Sequence, residues 1–278
     1  MARVARDAAA VPSRPEVDFE ALYDRHPEYV ARRRAGSFEQ AQIDVEVRLF
    51  KLPHLLSLLP GHRSLRSVLE IGCATGELIA AVPLERGGRK VGIDISPANI
   101  EVARERFPAI EFRCGDARAV KTERFDAVIL SDVLEHVPDD AGLLRDAAAL
   151  ADTVLINLPL EDNWLNVWRA YGPSDVSGHL RKYALADGLR LPERAGLQVV
   201  AHAQVWIHET PAEEARRAVR RLHLGADFSG IWPARVVRRS VFALARALPS
   251  VGRRVFASNL FVAARSVETP SVARAHPR

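Results

Sequence analysis

The sequence predicts an α/β protein: a doubly wound, parallel sheet with helices on both faces, N-terminal helices before it and a helical insertion near its end. Three observations predict this. Residues 68–78 read Val-Leu-Glu-Ile-Gly-Cys-Ala-Thr-Gly-Glu-Leu, an apolar strand ending in an acid, then a glycine turn and a helix start. Short apolar strands recur near 90–95, 110–114, 125–130 and 153–158, alternating with helix-patterned segments. The first four strands end in small or acidic residues, at Glu70, Asp94, Asp116 and Ser131-Asp132, so one polar rim forms along one sheet edge.

Taken in order, residues 1–14 are rich in Ala, Arg and Pro and are expected to be disordered. Residues 15–60 form a helical cap. Asp18 caps a helix running to about Arg34, and Ser37 with Gln40 reads as a capping box for a second helix toward Pro60. In that helix Ile43, Val47, Phe50 and Leu55 are spaced for one face, with Pro53 as a kink. The core spans 65–207, with a helix at 139–151, a loop or short helix over 159–180, a helix over 185–195 and a sixth strand over 197–207.

Residues 208–255 interrupt what would otherwise be a short hairpin into a strand at 258–266. Thr210, Pro211 and Glu213 start a helix that Gly225 can end. From Pro233 a second helix sets Val237, Val241, Leu244 and Leu248 on one face and Arg235, Arg238, Arg239 and Arg246 on the other. This insertion holds ten arginines against four acids, a net of +6, while the chain as a whole is +4, so the basic character lives here. Residues 267–278 read as a disordered tail.

Composition sets bounds. A length of 278 residues suits one α/β domain with additions, and 48% apolar residues suffice for a large core. The two cysteines, Cys73 and Cys114, sit at strand ends and not in a disulfide framework; with no signal-peptide pattern, a reducing cytoplasm is expected. No apolar run approaches the ~18 residues of a membrane span.

The glycine turn is not a dinucleotide fingerprint. Ala74 replaces the middle glycine of G-x-G-x-x-G and Glu77 falls where the third belongs. A carboxylate at that helix start suits a cationic or polar ligand better than a diphosphate, and no Gly-Lys-Ser/Thr follows to make a P-loop. Asp94 lies eighteen residues beyond Gly76, placed to accept hydrogen bonds from ribose hydroxyls.

With these motifs in order, the chain resembles the class I S-adenosylmethionine-dependent methyltransferases, within the broad group that contains the ubiquinone-type O-methyltransferases. Glu70-Ile-Gly-Cys-Ala-Thr-Gly76 resembles their motif I, Asp94 the ribose acid, Asp116-Ala117 the adenine-edge motif, and Phe125 through His136 motif IV with its following helix. The resemblance covers roughly 65–205 and implies a Rossmann-like sheet whose last strand, 256–266, pairs antiparallel beside the sixth. It implies a cofactor site of Glu70, Gly72, Cys73, Ala74, Gly76, Asp94, Ile95, Asp116, Ala117 and Ser131 for S-adenosylmethionine. The N-terminal helices are expected to cover the pocket. No Asn/Asp-Pro-Pro-Tyr follows strand four, which argues against methylation of nucleobase or amide nitrogens.

The expected reaction is methyl transfer to a small-molecule acceptor, foremost a hydroxyl oxygen. A lipid-linked, sugar or macromolecular acceptor, or cofactor binding without catalysis, are the alternatives. His136 and His179 are the candidate bases, because imidazole titrates near neutrality; a structural imidazole is the competing reading of each. Asp132, Glu135 and His136, on one helical face, together with His179, resemble the ligand set of some metal-dependent O-methyltransferases. A divalent cation is the less favoured alternative to a metal-free site. Trp164, Trp168, Tyr171 and Tyr183 are expected either to wall the acceptor pocket or to pack their loop on the sheet. For the insertion, an apolar face closing the pocket with solvated arginines is favoured over peripheral membrane contact, and no nucleic-acid partner is expected. His202 and His208 read as structural.

Overall fold

The computed structural model describes residues 24–25, 27–59, 64–172, 175, 177–224, 240–241, 243–245, 247–256 and 258–266. Their centre is a seven-stranded sheet of order β3-β2-β1-β4-β5-β7-β6. Its strands are β1 (Ser67–Ile71), β2 (Arg89–Asp94), β3 (Glu111–Cys114), β4 (Phe125–Ser131), β5 (Ala151–Leu160), β6 (Leu197–Val205) and β7 (Ser258–Ser266). The first five are parallel, and β7 runs antiparallel between β5 and β6, pairing Leu155 with Ala263 and His202 with Val262. The inner strands are buried on both faces, so they read as continuous apolar runs: Ala127–Leu130 is fully buried.

Helices cover both faces. The N-terminal cap is α1 (Pro27–Arg33), α2 (Ser37–Glu46) and α3 (Leu52–Ser57). Crossovers supply α4 (Glu77–Ala81), α5 (Pro97–Arg106), α6 (Asp140–Leu150) and α7 (Leu185–Arg194); the insertion supplies α8 (Pro211–Leu224) and α9 (Pro249–Val255). One core layer packs α6 and α7 residues such as Leu144 and Leu191 under β4 and β5. The other packs Val47, Phe50 and Leu55 of the cap with Ile79, Ile100 and Phe261.

Several local expectations change. The cap of α2 is Gly36, without a side-chain hydrogen bond; Ser37 is already helical, and Gln40 turns to Asp44 at 3.3 Å, so no capping box forms. Pro53 does not kink a continuous α-helix. The chain widens into a π turn over Val47–Lys51 just before it, and Pro53 then sits in the first turn of α3. Its missing N–H falls just after the π turn, where the regular α-helical hydrogen-bond pattern is already interrupted. Residues 132–139 form a turn, not the start of a helix: Asp132 adopts a left-handed φ of 55° and Asp139 caps α6 through a 2.7 Å bond to Gly142 N–H. Asp18, Gly225, Val237, Arg235, Arg238, Arg239, Arg246 and the expected disordered ends lie outside the described residues.

Candidate functional site

The strand order reverses between β1 and β4, and a crevice opens at the carboxyl ends of the strands there. It is a cavity of about 510 Å³, in the range that small ligands occupy. The turn after β1 forms its floor. Gly72 has φ 75°, and a Cβ there would meet Val133 Cγ2 at 2.5 Å. Ala74 sits at φ 45°, a left-handed conformation that strains any side chain. Replacing it with glycine removes that strain but loosens the unfolded chain, so Ala74→Gly is expected to stabilise by about 0.5–1 kcal/mol. In a thermal melt that is a rise of roughly 1–4 °C.

Asp94 ties this turn to the next crossover. Its Oδ2 accepts from Ala74 N–H at 2.8 Å, and its Oδ1 accepts from Ser96 N–H at 2.9 Å and Asn99 Nδ2 at 3.3 Å. It is 8% exposed, and burial raises its pKa. Glu70 accepts from Ile79 N–H at 2.9 Å at the start of α4, and burial pushes its carboxyl up to about 8. Asp116 caps a 3₁₀ turn over Ala117–Val120 and is held by Arg118 at 2.8 Å. Cys73, Ile95, Ala117 and Ser131 complete this half of the lining. Cys73 and Cys114 are both free thiols, and only Cys73 reaches the cavity.

Two sequence-based placements change. Gly76 does not line the cavity; it caps α4 at φ 88°, where a Cβ would stand 2.7 Å from Phe112, so its role is packing. Glu77 does not face a ligand. It is buried between Arg32 of α1, at 3.2 Å, and Arg106 of α5, at 2.6 Å, and so pins the cap to the core.

The other half of the cavity lies under the cap. Ile43, Val47, Val133 and Val137 give it an aliphatic wall. None of the four aromatic residues expected there lines it. Trp164 and Trp168 are 76% and 93% exposed, and Tyr171 stacks under Arg169 with 4.9 Å from guanidinium carbon to ring centroid. Tyr183 is buried behind the turn, donating to Asp140 at 2.8 Å. The described insertion residues do not line the cavity either, so the expected apolar closure does not form among them; Val241, Leu244 and Leu248 face solvent.

His136 and His179 meet in this half, edge to face at 4.7 Å. Nδ1 of His136 lies 3.1 Å from the Gly178 carbonyl. Burial, with His179 beside it, pulls His136 down to about 4, so it is neutral near pH 7. Nδ1 of His179 lies 2.6 Å from Glu161 Oε2, and Arg169 holds the other oxygen of Glu161 at 2.5 Å. Glu161 stands one residue beyond β5, where the rim pattern of acids continues, and that was the signal available for it.

Lys51 is the other residue that sequence reasoning missed. It comes from the π turn and reaches both Asp132 and Glu46 at 2.8 Å. Burial alone would lower its pKa; the two carboxylates outweigh that and raise it, while Lys51 holds Glu46 down at about 2. Asp132 is thus engaged away from the metal set expected of it. Glu135, His136 and His179 still place one donor atom each within 4.8 Å of one another. Both Glu135 oxygens are buried with no hydrogen-bond partner, and burial, reinforced by Asp132, raises its pKa well above the carboxylate range.

Comparison with known proteins bears on this geometry. Residues 69–152 match the methyltransferase domain family. The chain is 29% identical over 164 residues to the ubiquinone biosynthesis O-methyltransferase of Bradyrhizobium diazoefficiens; the match covers 50% of this chain and 64% of that one. In fold it is similar to the magnesium protoporphyrin IX methyltransferase of Synechocystis PCC 6803, solved with bound S-adenosylmethionine. The TM-score is 0.51 at 15% identity, covering 91% of this chain and all of that one. A Haemonchus contortus N-methyltransferase solved with S-adenosylhomocysteine gives a TM-score of 0.57 at 18% identity, covering 91% and 62%.

The cavity is lined by Glu70, pushed up to about 8 by burial, and by Asp94, whose Oδ2 keeps one lone pair free beyond its bond to Ala74. Residues 69–152 thus match a methyltransferase domain, and the fold is shared with methyltransferases solved with S-adenosylmethionine or S-adenosylhomocysteine.

Proposed function

We propose that this chain transfers the methyl group to a hydroxyl oxygen of a small-molecule acceptor. The observation that carries this reading is His179, held by Glu161 at 2.6 Å, which lines the half of the cavity with the aliphatic wall. Asp94 would hold the ribose hydroxyls, Ile95 and Ala117 would flank the adenine with Asp116 at its edge, and Glu70, the Gly72–Ala74 turn and Ser131 would seat the methionine part. Bound S-adenosylmethionine supplies a methyl group already activated on its sulfonium.

The residues of the chain then align and deprotonate. With Nδ1–H of His179 donated to Glu161, Nε2 is left as a proton acceptor, and the carboxylate stabilises the imidazolium that forms. Nε2 would take the acceptor O–H proton as the oxygen gains the methyl group, the electron pair of the broken carbon–sulfur bond staying with the cofactor's sulfur. His136, neutral and bonded to Gly178, serves as wall and not as base. Ile43, Val47, Val133 and Val137 exclude water and favour an acceptor with a compact apolar flank. Incubating the chain with methyl-labelled cofactor and a panel of phenols, alcohols and amines tests this. Label recovered in an alkali-stable ether supports oxygen transfer, whereas label only on nitrogen, or none, sinks it.

A second reading rests on the partnerless Glu135 carboxylate beside two imidazoles. Two imidazoles and a carboxylate suit zinc or a related ion, and Glu135, His136 and His179 would hold it; such an ion lowers the pKa of a bound hydroxyl. Metal analysis of the purified chain separates the readings. One equivalent of metal, lost in Glu135→Gln together with turnover, favours the ion, and full turnover in EDTA removes it.

A further inference from the structure

The loop after β5 and the segment before β7 expose an apolar surface that the site above does not use. Trp164 and Trp168 are 76% and 93% exposed, and Val167 between them is 57% exposed. The 3₁₀ turn that carries Trp164 packs against α9. The turn that carries Trp164 therefore lies beside α9; Leu244 and Leu248, in the segment before α9, are 63% and 49% exposed, and Val251 within it is 49% exposed. An amphipathic segment ordinarily turns its apolar side inward; here that side looks out, and none of these residues reaches the cavity.

Charge identifies what covers the patch. Residues 208–255 carry ten arginines against four acids. Arg253 and Arg254 lie in the last turn of α9; Arg253 pairs with Glu209 at 3.4 Å, and Arg254 is exposed. A second copy of the chain fits poorly, because an isologous contact would set one arginine-rich stretch against the same stretch of its partner. Tryptophan rings and aliphatic side chains flanked by arginines match the boundary between hydrocarbon and anionic head groups. Among the described residues no helix is long and apolar enough to cross a membrane, so the contact is with a surface.

We propose that Trp164, Val167 and Trp168, together with Leu244, Leu248 and Val251, dock the chain on an anionic lipid bilayer. Arg254, exposed at the end of α9, sits at head-group level, and the apolar side chains enter the acyl boundary. The loop that holds both tryptophans also carries His179, so docking bears directly on the loop that completes the candidate site. The docking stands independently of the acceptor reading.

The test uses the full chain with vesicles of phosphatidylcholine alone or mixed with phosphatidylglycerol, followed by co-sedimentation and tryptophan emission. The chain should sediment with the anionic vesicles, shift its emission to the blue, and release as salt rises from about 0.1 M to about 1 M. Trp164→Ala/Trp168→Ala should weaken binding at least about tenfold, since each ring buries a large apolar area. Leu244→Ser/Leu248→Ser should act in the same direction and be read by sedimentation. Unchanged S-adenosylmethionine binding in each variant shows that the fold is retained, and the leucine variant decides if the tryptophan variant misfolds. Three results would overturn the proposal: no binding to anionic vesicles at low salt, binding that the folded variants leave within about twofold, or a concentration-dependent dimer that shields the tryptophans from acrylamide.

Discussion

Asp94→Ala is expected to weaken S-adenosylmethionine binding about 100-fold or more, measured by isothermal titration. The carboxylate does two things at once. It accepts three hydrogen bonds that hold the turn at Ala74 and the start of α5 in place, at 2.8, 2.9 and 3.3 Å. Its one remaining lone pair, on Oδ2, is left for a ribose hydroxyl to donate to. A hydrogen bond to a charged group contributes about 1.5–3 kcal/mol, and its loss together with a loosened turn reaches the stated factor. Asp94→Asn separates the parts, since it keeps one oxygen for the turn but offers N–H groups where donors already point. Its binding loss should approach that of the alanine variant with a smaller loss of thermal stability. A dissociation constant within about threefold of the parent in both variants would refute the ribose role.

His179→Ala should lower kcat by about 10²–10³ while leaving cofactor affinity within about twofold, because a positioned base contributes on that order to proton transfer. Glu161→Gln should cost about tenfold. The amide oxygen still accepts from Nδ1–H, but the charge that stabilises the imidazolium is gone, and Arg169 loses one of its two carboxylate partners. His136→Ala tests the other imidazole. With His136 held near a pKa of 4, its loss is expected to raise KM more than it lowers kcat. A kcat for His179→Ala equal to the parent value would remove the base assignment.

The strand-end turns that line one half of the cavity were legible in the sequence; of the other half, His136 and His179 were legible and the aliphatic wall was not. Gly72, Ala74, Asp94 and Asp116 lie at strand ends, where a short apolar run stops and a turn begins, and that signal is local. Gly76 belongs to the same motif, yet its requirement comes from Phe112, whose approach no spacing records. Glu77 looked like a ligand-facing charge because its partner Arg32 lies 45 residues earlier. The aromatic cluster after β5 looked like a pocket wall because large rings are usually buried, but the loop turns His179 inward and Trp164 and Trp168 outward. Asp132, Glu135 and His136 met the spacing of a helical face, but the left-handed Asp132 gives a turn, and Lys51 draws its carboxylate away.

The sequence by itself determined the α/β class, the bounds of β7 at Ser258–Ser266, the start of α8 at Pro211 and the cradle at the ends of β1 and β2. These rest on apolar period, turn residues and caps, which act over a few residues. Only the tertiary structure decided that Lys51 reaches Asp132, that Glu161 supports His179, and that Val241, Leu244 and Leu248 face outward. Those outcomes depend on how the cap and the loops after β4 and β5 cross the sheet rim. That crossing is set by packing between segments distant in sequence, which leaves no periodic trace along the chain.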